Sequence, residues 1–306
     1  MQFYDDINRI PDLPSSAVIG KFDGMHLGHR KLITRAVKEK RPGMQTVVFT
    51  FSNPVADVVS CDAGRGQLVT SAERKELAEA FGADVLVEYP FDENTRHMTA
   101  EDFYENILQK ALHAESIAAG PDCAFGYQRK GNLEFLKRME KEGGIHVVPV
   151  EKAQYLHEDI SSTRIKQELR AGNMEAVNAM LGYEYGFRSE VVHGRHLGHS
   201  LGFPTINQIP SPGKALPPFG VYAARVTVKD RSFAGVANVG IKPTVTSEGP
   251  GVETHIIGFN EDVYGEEADV RLLAFIRPER RFADLAALSA QIAADREAVL
   301  ERNVTG

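Results

Sequence analysis

Val18-Ile-Gly-Lys-Phe-Asp-Gly-Met-His-Leu-Gly-His29, continuing as Arg30-Lys-Leu-Ile-Thr-Arg-Ala-Val37, is the stretch whose reading decides the fold. The apolar run Ala17 to Ile19 reads as a buried strand, and Gly20 breaks it. A turn carrying Phe22, Asp23 and Gly24 follows, and from about Leu27 the apolar positions Leu32, Ile33, Ala36 and Val37 recur at helical spacing. A strand that feeds a helix through a glycine-rich turn points free backbone N–H groups and the positive end of the helix dipole at one spot, which makes an anion site. His26 and His29 are three residues apart and would share a face of the first turn. Two imidazoles there can grip phosphate oxygens and neutralise charge that develops during phosphoryl or nucleotidyl transfer. Taken singly, each His is more often a surface residue or a satisfied core residue.

Working outward, Thr46-Val-Val-Phe-Thr-Phe51 is a second buried strand, Asp84 to Glu88 a third, Ser116 to Gly120 a fourth and Ile145 to Val150 a fifth. Helices are expected between them: Thr70 to Phe81, opened by a Thr70/Glu73 capping box, Thr99 to Leu112 with Phe103, Ile107, Leu108 and Ala111 on one face, and a helix near Leu133 to Lys141. This alternation predicts a parallel, Rossmann-like sheet covered on both faces, with ligands beyond the carboxyl ends of the strands. His26, His29, Asn53 and the run Asp122 to Gly126 all fall there. Ser161-Ser-Thr163 then caps a helix whose apolar face includes Ile165 and Leu169, and Asn173 to Leu181 is a short helix ended by Gly182.

The texture changes near Tyr183. Gly186–Val192, Gly220–Val228, Ser232–Val239, Val252–Phe259 and Ala268–Ile276 read as strands separated by turns with no helix between, so this half should be an antiparallel barrel or sandwich. A closing helix within Phe282 to Asn303 carries the stripe Leu285, Leu288, Ile292 and Val299, expected to pack on the barrel. The domains expected are therefore residues 1–182 and 183–306. In Leu201-Gly-Phe-Pro-Thr-Ile-Asn207, Thr205 and Asn207 alternate, so on extended chain both face one way and offer hard oxygen ligands suited to Mg²⁺ with a nucleotide. From spacing alone a surface turn after Pro204 competes with that reading. His193, His196 and His199 lie in a glycine-rich loop without Cys or carboxylate support, which argues against a zinc site.

Composition narrows the class. The chain has 306 residues, 42% hydrophobic and 25% charged, enough for two domains with real cores. A net charge of −7 without a Lys/Arg-rich run argues against a general nucleic-acid binder. Cys61 and Cys123 are the only cysteines and are expected to be buried free thiols. No long apolar run and no signal-peptide pattern are present, so a cytoplasmic location without membrane contact is expected.

The run Gly20-Lys-Phe-Asp-Gly-Met-His-Leu-Gly-His29 resembles the His-x-Gly-His signature of the nucleotidyltransferase superfamily, and in particular the bacterial bifunctional riboflavin kinase/FMN adenylyltransferases, or FAD synthetases. Ile160-Ser-Ser-Thr-Arg-Ile-Lys166 is similar to their second signature, with Lys166 where the family carries a final Arg. In the second half, Gly198-His-Ser-Leu-Gly-Phe-Pro-Thr-Ile-Asn207, Pro218–Tyr222, Gly235–Gly240 with Pro243-Thr244, and Glu253-Thr-His255 resemble the flavokinase pattern. The likeness runs from about Val18 to Phe282 in the family's domain order.

That resemblance implies riboflavin phosphorylation by Mg-ATP in the barrel, then adenylylation of FMN to FAD with release of pyrophosphate in the α/β half. It implies Glu253 as base, Thr205 and Asn207 on the metal, and Gly198, Gly202, Phe203 and Pro204 around the nucleotide. In the first half it implies His26 and His29 as catalytic groups, with Gly20, Phe22, Asp23, Gly24, Ser161, Ser162, Thr163, Arg164 and Lys166 on ATP. Asn53, Asp122 and Phe125 are implied at the flavin. Departures from the pattern are Thr50-Phe-Ser-Asn-Pro54, shortened and lacking a His, Cys123 in place of an aromatic, His199 in place of an Arg and Gly258 in place of an Asp. They keep two alternatives open: a riboflavin kinase with weak or lost adenylyltransferase activity, and a non-catalytic flavin or nucleotide sensor.

Overall fold

A computed structural model describes residues 1–52, 66–194, 202–243 and 248–302. Asn53, Cys61, His196, Gly198, His199 and Thr244 lie outside them. The chain forms two compact units. The first is Met1–Ala56 with Val69–Ser162, and the second is Asp57–Leu68 with Thr163–Gly306.

The first unit is built on β1 (Gln2–Tyr4), β2 (Ser15–Ile19), β3 (Gln45–Ser52), β4 (Val85–Pro90), β5 (Ala114–Ala119) and, after the two-residue pair β6 (Ala124–Phe125) and β7 (Gly131–Asn132), β8 (His146–Pro149). The six long strands form one sheet in the order β1-β4-β3-β2-β5-β8, every pair parallel. A second short pair, β9 (Gln154–Tyr155) and β10 (Glu158–Asp159), follows. Side chains alternate across the strands, and both sets are buried. Ala17, Val47, Phe49, Val85 and Val87 share one core cluster with Phe103, Ile107, Leu108 and Phe135. Val18, Val48 and Leu86 face the other way, onto the side covered by α1 (Leu27–Glu39), whose Ile33 and Ala36 are buried. The strand order reverses between β2 and β5, and the turn leaving β2 at that switch point is the one that carries the histidines.

α2 (Ser71–Ala80) opens with the expected reciprocal Thr70/Glu73 capping box, and α3 (Glu93–His97) and α4 (Ala100–Asp102) are short. The expected α-helix to Leu112 is instead a π-helix from Phe103 to Ala111, ended by a Leu112 N–H donating to the Ile107 carbonyl at 2.9 Å. This wider turn puts Tyr104 beside Phe103 on the buried face, where its hydroxyl accepts from Ile145 N at 2.9 Å. α5 (Leu133–Lys141) matches the expectation.

In the second unit, α6 (Ser162–Arg170) and α7 (Met174–Leu181) precede the strands. Asn173 caps α7, and Gly182 ends it in the left-handed region. β11 (Gly186–Glu190), β12 (Thr205–Gln208), β13 (Gly220–Val228), β14 (Arg231–Pro243), β15 (Glu248–Ile256) and β16 (Glu267–Pro278) form an antiparallel sheet in the order β11-β16-β13-β14-β15-β12. A Val192↔Asn207 bridge draws the two outer strands together, and the Gln208 amide donates to the Ser189 and Ala268 carbonyls, so the sheet curls as a barrel does. The extended reading of Thr205 to Asn207 holds: this segment is a strand of the sheet. α8 (Leu285–Glu301) closes the chain, capped by Asp284. Its expected stripe is only partly buried. Val299 is in the core and Leu285 is exposed, while Leu288 and Ile292 are half-buried and line a cavity.

Candidate functional site

In the first unit, the turn after β2 is anchored by its own apolar residues. Phe22 and Met25 are fully buried although their backbones take φ of 46° and 40°. Left-handed backbone costs about 1–2 kcal/mol per residue, and burying each side chain returns about 1.5–3 kcal/mol. Thr50 Oγ1 donates to the Lys21 carbonyl at 3.1 Å, and Ser162 Oγ donates to the Asp23 carbonyl at 2.7 Å.

His26 is not in the first turn of α1; it is the N-cap. Its Nδ1 accepts from the backbone N–H of Gly28 at 3.2 Å and of His29 at 3.4 Å. The free N–H groups expected to meet an anion are therefore partly consumed by the cap. With Nδ1 as acceptor, the neutral ring carries its proton on Nε2, and that nitrogen is left as a donor. The His26 and His29 rings do lie together, stacked at 3.6 Å with 18° between planes, and Phe22 meets His29 edge-on at 5.1 Å. Gly28 permits this packing, since a Cβ there would lie 3.0 Å from His26 Cε1 and 3.1 Å from Nδ1.

Burial outweighs the nearby Asp23 carboxylate and lowers the His26 pKa to about 4. His29 is pushed well below the usual histidine range by burial, by His26 and by the Arg74 guanidinium. Both rings are thus neutral at pH 7 and act as oriented donors, not as standing cations. His29 Nδ1 is buried without a hydrogen-bond partner among the described residues.

Arg74 was not singled out by sequence reasoning. It is 2% exposed, donates to Glu88 Oε1 at 2.6 Å, and Glu88 Oε2 accepts from Ser71 Oγ at 2.6 Å. The signal was present: Arg74 falls on the same stripe of α2 as Ala78. Of the other expected residues, Asp122 is exposed and paired with Lys152 at 2.8 Å. Phe125 is 4% exposed and packs at 5.1 Å from Phe103, so its ring faces the core and supports the loop from beneath. Cys123 is a half-buried free thiol that burial raises to about 12. Thr163, Arg164 and Lys166 lie on α6, with Thr163 exposed and the other two half-buried.

In the second unit, Asn207 on β12, Glu253 on β15 and Asn238 on β14 are register partners in sequence, followed by Val221 on β13 and Arg277 on β16. This row lines a cavity of about 690 Å³ together with Phe203, Thr205 and His255. Thr205 Oγ1 donates to Glu253 Oε1 at 2.9 Å, and His255 Nδ1 lies 2.9 Å from the Pro204 carbonyl. On the far wall Arg277 holds Asp295 of α8 through Nε at 3.0 Å and Nη2 at 2.7 Å, and Gln291 adds a bond at 2.7 Å. Asn238 and the Arg277–Asp295 pair were also missed, although an amide within Val236-Ala-Asn-Val239 stands out among apolar neighbours.

The donors suit a magnesium ion bound with a nucleotide. The Thr205 hydroxyl spends its proton on Glu253, leaving oxygen lone pairs for a cation, and the Asn207 amide packs on Gly194, where a Cβ would lie 2.3 Å from Nδ2 and 2.9 Å from Oδ1. Among the described residues there is no cluster of three or more His, Cys, Asp or Glu that could hold a metal.

The FAD synthetase family model matches residues 11–164, and the riboflavin kinase family model matches residues 181–302. The bifunctional riboflavin kinase/FMN adenylyltransferase of Listeria monocytogenes is 31% identical over 96% of this chain and 92% of its own length. The proteins of the same name from Escherichia coli K12 and Bacillus subtilis are each 32% identical, over 95% and 92% of this chain and 93% and 90% of their own lengths. A crystal structure from Streptococcus pneumoniae, titled as a macrolide-efflux protein, superposes with a TM-score of 0.85 at 30% identity, covering 97% of each chain. Among the described residues of this chain, no helix is long and apolar enough to cross a membrane. With both domain patterns in one order and these full-length relatives, the chain belongs to the bifunctional riboflavin kinase/FMN adenylyltransferase family.

Proposed function

We propose that this protein makes FMN and then FAD, with residues 183–306 as the riboflavin kinase and residues 1–182 as the FMN adenylyltransferase. In the barrel, the riboflavin 5′-hydroxyl oxygen attacks the γ-phosphorus of ATP while its proton passes to Glu253, and the bond to ADP breaks. Thr205 and Asn207 would hold Mg²⁺, which neutralises phosphate charge when bound. Gly202, Phe203 and Pro204 border the nucleotide. The observation that carries this reading is the Glu253 carboxylate, fixed by Thr205 and lining a cavity opposite Asn207.

In the α/β unit, an FMN phosphate oxygen attacks the α-phosphorus of a second ATP, and pyrophosphate leaves. His26 through Nε2 and His29 donate to phosphate oxygens, so charge that builds up in the transition state meets oriented donors. The turn Gly20 to Gly24, Ser161 to Arg164 and Lys166 contribute to the ATP site. Flavin contacts fall to Asn53 and Asp122, with Phe125 bracing the loop that carries Asp122. The substrates are small molecules, not nucleic acid, in keeping with a net charge of −7, and the work is cytoplasmic.

The test incubates the protein with riboflavin, ATP and Mg²⁺ and separates flavins over time. FMN first and FAD second is the expected result. Glu253→Gln should abolish FMN formation while sparing FAD formation from added FMN, and His29→Ala should do the reverse. FMN without FAD would reduce the protein to a kinase; binding without ADP or pyrophosphate would make it a sensor.

A further inference from the structure

We propose that Lys152 is a positioning residue for adenylyl transfer, its ammonium strapping the loop that carries Asp122 to the hairpin that leads into Ser161. This rests on the reading of the α/β unit as the FMN adenylyltransferase.

Three pieces of chain meet at this side chain. Val150 N donates to the Ala119 carbonyl at 2.9 Å, which prolongs the pairing of β5 with β8 before the two ends part. After β5 the chain turns at Pro121 and Asp122, with Cys123 N donating to the Gly120 carbonyl at 3.0 Å. After β8, Glu151 and Lys152 run into the β9–β10 hairpin, whose base closes where Ile160 N donates to the Ala153 carbonyl at 2.9 Å. Lys152 Nζ lies 2.8 Å from Asp122 Oδ2 and 3.1 Å from Asp159 Oδ2. One ammonium, with three donors, thus serves two carboxylates on separate segments. Asp159 ends β10, two residues before Ser161, and its other oxygen accepts from the Gln154 amide at 3.2 Å.

The pairing raises the Lys152 ammonium above its ordinary pKa, Asp122 contributing most, and Lys152 lowers Asp159 below its own. All three groups are therefore charged at pH 7. Lys152, Pro121 and Asp159 border a cleft of about 640 Å³ that Lys31 of α1 also borders, so the strap is a wall of a cleft reached by the helix that carries His29. Part-exposed ion pairs add little to folding, because water screens them and long side chains lose freedom in making them. The strap acts instead on placement. Loops beyond the carboxyl ends of parallel strands carry the ligand contacts, and one ordered in advance costs less to bind with. The ammonium also offsets two carboxylates beside substrates that are themselves polyanions.

The test is steady-state FAD formation from FMN and ATP by Lys152→Met, by Asp159→Asn and by the double variant. Asp159→Asn keeps an acceptor for Gln154 and leaves Lys152 and Asp122 untouched, yet it cuts one arm of the strap. Each single change is expected to raise the FMN KM about three- to tenfold with kcat within about twofold of wild type. The double variant should go no further than the worse single one, since the same strap is cut in both. Lys152→Arg, which keeps the charge and donors for both carboxylates, should restore most of the FMN affinity. An unchanged FMN KM in Asp159→Asn, or additive losses in the double variant, would overturn the inference by showing that the two arms act separately. A loss of kcat at unchanged FMN KM would overturn it too. If Lys152→Met fails to fold, Asp159→Asn and Lys152→Arg decide. Absence of FAD from the wild-type protein would instead sink the adenylyltransferase reading itself.

Discussion

Replacing Gly28 by Ala sets two opposite effects against each other. Alanine in place of glycine in a helix favours folding by about 0.8–1 kcal/mol. At this position, however, the new methyl would stand 3.0 Å from His26 Cε1 and 3.1 Å from Nδ1. The ring cannot simply retreat, because His29 is stacked on it at 3.6 Å. It must tilt, weakening the bonds from Gly28 N and His29 N that cap α1. A lost N-cap costs about 0.5–2 kcal/mol. The two terms nearly cancel, so the stability of the first unit should change by no more than about 1 kcal/mol. Activity has no such compensation. A group misplaced by about 1 Å costs about 10²-fold in rate, so a shift of a few tenths of an ångström should cost about 3- to 10-fold. The assay follows FAD and pyrophosphate from added FMN and ATP, with riboflavin phosphorylation in the same preparation as a control that the substitution should leave alone. FAD formation within twofold of wild type, at unchanged melting temperature, would refute the role assigned to the stacked pair.

Acid should weaken the first unit. An unfolded chain protonates His26 near pH 6.5 while the folded chain resists until about 4, so the unfolded state binds more protons between those values. Stability attributable to His26 is then full above pH 6.5 and falls by up to about 3 kcal/mol toward pH 4, which urea titrations at pH 7 and pH 4.5 would show, flattened in His26→Asn. Breaking the buried Arg74–Glu88 pair by Arg74→Met should cost about 3–5 kcal/mol, whereas the double change Arg74→Met/Glu88→Leu should recover most of it in thermal unfolding. Asp295→Ala should free Arg277 and loosen α8, raising the riboflavin KM about tenfold through the displaced Leu288 and Ile292 wall, with the ATP KM little changed.

Much of this architecture is legible in the sequence. Alternating helix and strand periodicity located the parallel sheet, and the Thr70 capping box, the Asn173 cap and the Gly182 stop lie where their local chemistry put them. These are short-range signals, set by residues within one turn. What escaped is long-range. The edge strand Gln2–Tyr4 is too short to show periodicity and exists because β4 pairs with it. The π-helix buries Phe103 and Tyr104 together, and composition does not announce it. In the site, spacing put His26 and His29 together correctly, but only the backbone angles of the turn make His26 a cap. Arg74 and Asn238 could be read only weakly, as polar residues on otherwise apolar stripes.

The ladder between β13 and β16 is irregular. Along β13 and β16 the partners run Val221↔Arg277 and then Tyr222↔Phe275, passing over Ile276. In a regular strand Phe275 and Arg277, two apart, would point to the same side; the bulge at Ile276 lets them point to opposite sides. Phe275 accordingly packs at 5.1 Å on Tyr222 away from the cavity while Arg277 turns inward to Asp295. The barrel therefore sets its far wall by register as well as by side-chain identity. Removing Ile276 would leave Phe275 and Arg277 adjacent and still on opposite faces, in step with Tyr222 and Val221. Deleting that one residue should be better tolerated than deleting a paired residue of the same ladder.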